Sequence, residues 1–151
     1  MAETSETSGL RNLPYFVYGT LRPGNGNFKR YLEGKSFHHR TARLHGFVMV
    51  SLGGFPMAIE TRNKKDVIVG DLVSIRPKEF VATTKGLDAL EGYPSFYDKL
   101  IVSAEAEEIM SDNVVKLRDE EAYVYASPEV HAEKYLKTYS KVIGGDWNKR
   151  S

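Results

Sequence analysis

The chain has 151 residues, enough for one domain with a sizeable hydrophobic core. Its 21 lysines and arginines nearly balance its 20 aspartates and glutamates, and the net charge of +1 argues against a dedicated nucleic-acid-binding protein. The absence of cysteine excludes a disulfide framework, a thiol nucleophile and thiolate metal ligands. No apolar run approaches the roughly 20 residues of a membrane-spanning helix, and the N-terminus has no signal-peptide pattern. We therefore expect a soluble, cytoplasmic protein without a membrane or nucleic-acid partner.

The N-terminal residues differ in composition from the rest of the chain. Residues 1–12 are polar and rich in Ser, Thr and Glu, which predicts a disordered tail. Residues 13–151 carry the apolar patterning of a single folded domain, with no internal repeat or linker.

Several short strands are predicted between turn signals. The run at residues 14–18 is aromatic and β-branched, and it predicts a buried strand that enters a tight turn at Gly19. A short helix is predicted around residues 28–32. Further strands are expected at residues 42–50, 55–61, 67–75, 100–104 and 122–126, with the acidic stretch 105–120 as a solvated turn or hairpin tip.

Two longer helices complete the predicted fold. One begins near Pro77 and ends at Gly92, a residue suited to a left-handed helix stop. The other opens with Ser127 as its cap and Pro128 in its first turn. Its expected inward positions are Val130, Tyr135, Leu136, Tyr139, Val142 and Ile143, before Gly144 and Gly145. The pattern predicts an α+β domain, a small mixed β-barrel of about six strands with these two helices beside it.

The turn at residues 18–21 is the first candidate binding element. Glycine after a buried strand allows a sharp turn and leaves peptide N–H groups unpaired, so Tyr18, Gly19, Thr20 and Leu21 could hold a carboxylate or an oxyanion. An ordinary strand-ending turn remains the alternative. The glycine-rich continuation lacks the Gly-Lys-Ser/Thr ending of a nucleotide-binding loop.

Glu91 is the candidate catalytic residue. It lies in the last turn of a predicted helix, where the negative end of the helix dipole disfavours a carboxylate. Its sequence neighbours are mostly apolar, and burial would raise its pKa further, towards the value that general acid-base catalysis near neutral pH needs. The alternative is a glutamate on the exposed helix surface.

Other chemistry-bearing residues give weaker signals. The four histidines lack metal-ligand spacing, so no metal site is predicted. Ser51 and Ser127 lack a nucleophile-elbow context, which disfavours serine hydrolase chemistry. Most tyrosines are expected in the core. Asp71 is open between an edge charge and a site residue.

Five short motifs follow one another along the chain, namely Phe16–Arg22, Ser51–Pro56, Gly70–Leu72, Leu87–Pro94 and Tyr97. Each motif is short, but their joint order and spacing are specific. Together they resemble the gamma-glutamylcyclotransferase-like superfamily, nearest to its gamma-glutamylamine cyclotransferase branch. The ending Gly144–Trp147 is also similar to that of small bacterial members.

The resemblance implies a small barrel that works without a cofactor or metal. The α-amine of a γ-glutamyl amine or γ-glutamyl amino acid would attack its own γ-carbonyl, releasing 5-oxoproline and the free amine. The turn at residues 18–21 would bind the glutamyl α-carboxylate and help hold the oxyanion. Glu91 would be the general acid/base, and Tyr97 would border the glutamyl pocket. Lys99 departs from the family, which often has arginine there.

Two other functions fit the same residues. A non-catalytic small-molecule sensor or partner-binding module would keep the glutamyl pocket without turnover. Processing of a different γ-glutamylated metabolite, such as a biosynthetic protecting group, would share the mechanism.

Overall fold

The computed structural model describes residues 11–149. Within this range the chain forms seven strands and three α-helices, joined by turns and short 3-10 segments. The elements are β1 (Tyr15–Val17), α1 (Gly26–Tyr31), β2 (Ser36–His45), β3 (Phe47–Ser51), β4 (Pro56–Glu60), β5 (Val67–Ile75), α2 (Phe80–Glu91), β6 (Asp98–Ile109), β7 (Val115–Ala126) and α3 (Ala132–Thr138).

Five strands close into a mixed barrel in the order β1-β5-β2-β6-β7. The closing pair, β1 and β7, is parallel, whereas the other neighbours in the barrel are antiparallel. Strands β3 and β4 form a separate antiparallel sheet. The predicted α+β class with a small mixed barrel and two longer helices is therefore confirmed, with five strands in the barrel and two in the separate sheet in place of a barrel of about six.

Strand β1 is buried on both of its faces, which explains its unbroken apolar sequence. Phe16 belongs to one hydrophobic core with Leu72. Its neighbours Tyr15 and Val17 belong to a second core that also contains Leu87 of α2. Alternation along a strand sends successive side chains to opposite faces, so β1 ties the two cores together and its end is held firmly.

Gly70 allows β5 to pass unusually close to β1. A Cβ added at Gly70 would lie 2.3 Å from the Val17 carbonyl oxygen and 2.8 Å from the Phe16 ring. Any side chain here would force the two strands apart. The close approach sets the register in which Val17 pairs with Asp71.

Helix α2 ends as the sequence predicts. Gly92 adopts a left-handed conformation with φ 66° and ψ 33°, and its N–H group is bonded to helix carbonyls. Phe80, Thr84 and Leu87 are buried, whereas Val81 is exposed. Glu91 is thus the last residue of a helix whose end is fixed by its cap.

The last helix is shorter than predicted, and its expected inward face is only partly correct. Tyr135 and Val142 pack against the hydrophobic cores, whereas Val130, Leu136, Tyr139 and Ile143 are exposed. Helix α3 has only seven residues, and the exposed fractions of Val130 and Ile143 are 84% and 88%. Ser127 donates its hydroxyl to the Pro128 carbonyl and does not cap a helix. The chain leaves α3 at Tyr139 in an extended conformation, and the Val142 N–H then bonds to Met49 of β3. Pairing with this strand replaces the continuation of the helix.

Two strand predictions also need correction. Residues 42–50 are not one strand, because Gly46 turns the chain with φ 87° between β2 and β3. The acidic stretch 105–120 is mostly strand, since β6 and β7 pair from Asp98–Ala126 to Ile109–Val115 and only residues 110–114 form the tip. A backbone ladder accommodates charged side chains wherever they point into solvent.

The predicted tail, residues 1–12, lies outside the described residues except for positions 11 and 12. The Arg11 carbonyl accepts a hydrogen bond of 2.7 Å from the Tyr123 hydroxyl on β7. The guanidinium of Arg11 also pairs with Glu121. Over residues 11–149, no helix is long and apolar enough to cross a bilayer.

Candidate active site

A cavity of about 350 Å³ opens beside the ends of β1 and α2. The cavity brings together all six residues that the sequence singled out, although they lie up to 79 positions apart in a range from Tyr18 to Tyr97. These residues are Tyr18, Gly19, Thr20, Leu21, Glu91 and Tyr97. The sequence did not single out the other lining residues as site candidates, among them Asn27, Phe55, Pro56, Phe96 and Tyr125.

The turn after β1 lines this cavity and carries unpaired backbone donors. The Arg22 N–H donates to the Gly19 carbonyl at 3.1 Å, which closes the turn. Among the described residues, no acceptor is bonded to the N–H groups of Thr20 and Leu21. Two adjacent free N–H groups can bind an anionic oxygen, as the sequence predicts. The side chain of Thr20 is held separately, because Asn27 donates to its hydroxyl at 2.7 Å.

Gly19 is needed because the turn packs directly against Pro56. A Cβ at Gly19 would lie 2.8 Å from two carbons of the Pro56 ring, closer than such contacts normally come. A larger residue would push the turn and the start of β4 apart and move both walls of the cavity. Glycine thus serves close packing here and not only backbone freedom.

A buried ion-pair network of Arg22 holds the turn in place. Arg22 donates from Nε to Asp71 and from Nη1 to Asp146, each at 2.7 Å. All three side chains are nearly buried, and paired charges of this kind hold a definite geometry. Asp71 is therefore neither an edge charge nor a cavity residue. It positions the turn through Arg22.

Glu91 is half-buried at the cavity, and no described residue donates a hydrogen bond to its carboxyl group. Burial raises its pKa from 4.5 to about 7. The predicted direction of the shift is confirmed, with burial as its cause. A carboxyl group with this pKa can both accept and return a proton near neutral pH.

Tyrosines form the buried floor of the cavity, and their hydroxyl groups differ in how many hydrogen bonds they make within the protein. Tyr18 donates to the Tyr125 carbonyl at 2.7 Å and accepts from the Ala58 N–H at 3.0 Å, so its hydroxyl is committed to the fold. Tyr97 donates to the Pro56 carbonyl at 2.7 Å and keeps its lone pairs available for a donor. Burial raises the pKa of both phenols, so both are neutral.

Lys99, the departure from the family pattern, does not line the cavity. Its ammonium donates to Asp88 at 2.9 Å and sits 5.0 Å from the centroid of the Tyr93 ring. The Tyr125 hydroxyl donates to the same Asp88 oxygen at 2.5 Å. These bonds fasten α2 to the β6–β7 hairpin.

The histidines do not gather into a metal site within the described range. Over residues 11–149, no group of three or more His, Asp and Glu side chains is arranged to hold a metal ion. His45 instead lies 3.3 Å from Glu105 on the exposed surface of the barrel. That the reaction needs no metal or cofactor stays a prediction.

Comparison with known proteins gives the family. The model of the family described as gamma-glutamyl cyclotransferase, AIG2-like, matches residues 15–149. The chain belongs to this family. A curated relative from Methanocaldococcus jannaschii, which carries the provisional name gamma-glutamylcyclotransferase MJ1514, is 32% identical over 76% of this chain and 83% of its own. The predicted superfamily is thereby confirmed, and the protein is gamma-glutamylcyclotransferase-like.

Solved structures share the fold at low sequence identity. A crystal structure of an AIG2-like protein from Mus musculus superimposes with a TM-score of 0.62 and 22% identity, covering 82% of each chain. A yeast gamma-glutamyl cyclotransferase specific to glutathione has a TM-score of 0.55 and 13% identity, covering 76% of this chain and 68% of its own. At these identities the likeness concerns the fold alone.

Proposed function

We propose that the protein cyclises a γ-glutamyl amine or γ-glutamyl amino acid and releases 5-oxoproline and the free amine. One observation carries this proposal. A single cavity is lined both by the turn that carries the free N–H groups of Thr20 and Leu21 and by Glu91, whose pKa is about 7. An anion-binding turn beside a proton carrier is what an intramolecular acyl transfer requires.

The turn is the proposed glutamyl-binding element. Its free N–H groups bind the α-carboxylate and help hold the oxygen of the tetrahedral intermediate as its negative charge develops. Arg22 keeps those donors in place through Asp71 and Asp146, so little reorganisation accompanies the reaction. The Tyr97 hydroxyl, with its proton committed to Pro56, accepts a hydrogen bond from the substrate amine.

Glu91 manages the protons of the proposed reaction. The α-amine attacks the γ-carbonyl carbon, a C–N bond forms, and the proton lost by the amine passes to the Glu91 carboxylate. The tetrahedral intermediate then collapses, the original amide C–N bond breaks, and Glu91 returns the proton to the leaving nitrogen. The proposed reaction consumes no water and no cofactor. Because nucleophile and electrophile share one molecule, fixing the cyclising conformer supplies about 7 to 11 kcal/mol of the rate enhancement.

The gamma-glutamylamine branch is the proposed subtype, and the cytoplasm the proposed compartment. The subtype is supported by the short chain and by the compact segment Glu91–Pro94. The compartment is supported by the absence of cysteine from the sequence. The proposed partner is the small-molecule substrate.

The deciding experiment measures 5-oxoproline release from a panel of γ-glutamyl amines and γ-glutamyl amino acids. Glu91→Gln keeps the shape of the side chain and removes its titrating proton, and we expect activity to fall by about 100- to 10,000-fold. Glu33→Gln, at an exposed position that does not line the cavity, is the matched control and keeps full activity.

Two results would contradict the proposal. Equal release by the parent and a folded Glu91→Gln variant would remove Glu91 from the mechanism. No release from any substrate, together with thermal stabilisation by one of them, would identify a non-catalytic binding module instead.

A further inference from the structure

We propose that the mouth of the cavity selects γ-glutamyl amides whose leaving amine carries an apolar, uncharged substituent, and that Phe55 and Phe96 are the residues that select it. This inference rests on the proposed function, since it concerns the leaving group of the same reaction. It adds to the proposed gamma-glutamylamine subtype the chemical character of the leaving amine and the residues that select it.

The cavity changes character between its floor and its mouth. Tyr18, Leu21 and Tyr97 are buried at the floor. Phe55 and Phe96 remain 37% and 40% exposed, although both line the same cavity. Their ring centroids are 6.0 Å apart, so the two rings form one continuous apolar surface. Exposed aromatic side chains beside a binding cavity indicate contact with an apolar ligand group.

Both rings are carried by backbone segments that also shape the catalytic part of the cavity. The Phe55 carbonyl accepts from the Leu52 N–H at 2.9 Å, and Phe55 directly precedes the proline that packs on Gly19. The Phe96 N–H donates to the Gly92 carbonyl at 2.8 Å, next to Glu91. The apolar surface is therefore fixed relative to the turn and to the proton carrier.

The charge of the cavity points to the same class of leaving group. Among the described residues, no lysine, arginine or histidine lines the cavity, and its ionisable side chains are Glu91 and three tyrosines. The nearby cations have other partners, because Arg22 binds two aspartates and Lys99 binds Asp88. A carboxylate on the leaving amine would be desolvated near Glu91 without a countercharge, which is unfavourable.

The geometry of the substrate connects these two observations. With the α-carboxylate on the turn and the scissile nitrogen beside Glu91, the substituent on that nitrogen extends towards the mouth. There it meets Phe55 and Phe96 and finds no cation. An apolar substituent gains contact with the rings, whereas a carboxylate loses water and receives no partner.

A matched substrate pair tests this selectivity. γ-Glutamyl-phenethylamide and γ-glutamyl-phenylalanine differ only by the carboxylate on the leaving group. We expect kcat/KM for the amide to exceed that for the amino acid by about tenfold or more, as for a charged group left without a partner. Equal values, or a preference for γ-glutamyl-phenylalanine, would overturn the proposal.

Variants of the two rings test which residues select the substituent. Phe55→Ala and Phe96→Ala should each lower kcat/KM for γ-glutamyl-phenethylamide by about three- to tenfold and leave γ-glutamyl-methylamide nearly unchanged. Phe37→Ala removes an exposed ring from β2, away from the cavity, and is the control that changes neither substrate. Equal losses on both substrates would show a general structural effect and would overturn the assignment. Thermal melts verify that each variant is folded.

A charge-introducing variant sharpens the test. Phe96→Arg places a cation at the mouth, so the ratio of kcat/KM for γ-glutamyl-phenylalanine to that for γ-glutamyl-phenethylamide should rise at least about tenfold. An unchanged ratio would contradict the electrostatic part of the proposal.

Failure of the proposed function would look different. If the parent released 5-oxoproline from no substrate, the cyclotransferase proposal would fail. Thermal shifts with the same matched pair would then decide the selectivity. A larger shift with the phenethylamide would support selection by the mouth, and equal or absent shifts would overturn it.

Discussion

Two carboxyl groups on α2, one helical turn apart, have opposite environments. Asp88 accepts hydrogen bonds from the Lys99 ammonium at 2.9 Å and from the Tyr125 hydroxyl at 2.5 Å. Glu91 accepts none from any described residue, although it is half-buried at the cavity. The difference in donors separates Asp88, an anchor whose charge is compensated, from Glu91, whose charged form is disfavoured.

The anchor fixes the part of the helix that carries Glu91. Asp88 fastens the last turns of α2 to Lys99 on β6 and Tyr125 on β7, and Glu91 follows on the same helix. Glu91 itself is left without donors, which keeps its pKa near 7. If Glu91 had the donors of Asp88, its pKa would fall and it would remain ionised throughout the reaction.

Removing the charge of the anchor should have the largest effect on folding. Burial alone lowers the pKa of Lys99, but its hydrogen bond to Asp88 and the nearby negative charge leave that pKa raised. Asp88→Asn deprives this nearly buried ammonium of its countercharge, and we expect a loss of about 3 kcal/mol in the free energy of unfolding. Denaturant titration measures it.

A rescue variant distinguishes charge from packing at this anchor. The double variant Asp88→Asn/Lys99→Met also removes the ammonium and should recover part of the lost stability. If Asp88→Asn alone were as stable as the parent, the Asp88 charge would not be needed to compensate Lys99, and the proposed difference between the two carboxyl groups would be wrong.

The second effect is the pH dependence of stability caused by Glu91. Its pKa is 4.5 in the unfolded chain and about 7 in the fold, so between these values only the native state holds the proton. Stability therefore falls as pH rises from 4.5 to 7 and is constant beyond. Allowing for the half-buried position, the loss is about 2 to 3 kcal/mol.

Glu91→Gln tests this dependence directly. The variant lacks the titration and should become more stable than the parent above pH 7, while both unfold alike near pH 4.5. Unfolding curves at several pH values measure the difference. Parallel curves for parent and variant across this range would mean that Glu91 is not desolvated.

The local parts of the site could be predicted from the sequence. A glycine after a buried strand predicts the turn at residues 18–21, and a helix ending at Gly92 among apolar neighbours predicts the raised pKa of Glu91. The turn and the helix end depend on contiguous residues, whereas the burial that raises the pKa of Glu91 is completed by distant segments that line the same cavity. The helix cap and the strand end are decided by local conformation, which the residue pattern expresses directly.

The contacts between distant segments could not be predicted in this way. Arg22 contacts Asp71 and Asp146, which follow it in the sequence by 49 and 124 residues. Only the strand register and the path of the C-terminal segment bring these side chains together. The length of the last helix was mispredicted from its apolar spacing for the same reason. Residues after Tyr139 have a helical pattern, but pairing with β3 is available to them and replaces the helix.

The smallest predicted effect concerns the Tyr97 hydroxyl. Tyr97→Phe leaves the Pro56 carbonyl without its donor and should cost about 1 kcal/mol of unfolding free energy. Tyr139→Phe is the control, because that hydroxyl is bonded to no described residue, and it should change stability by less than about 0.5 kcal/mol. A loss of 5-oxoproline release by Tyr97→Phe well beyond the roughly tenfold that 1.4 kcal/mol represents would mean that this hydroxyl contacts the substrate. Glu91 would then share the cavity with a second group that acts on the reacting amine. Equal 5-oxoproline release by Tyr97→Phe and Tyr139→Phe would instead exclude a role of the Tyr97 hydroxyl in the reaction and leave Glu91 as the proposed acid-base group.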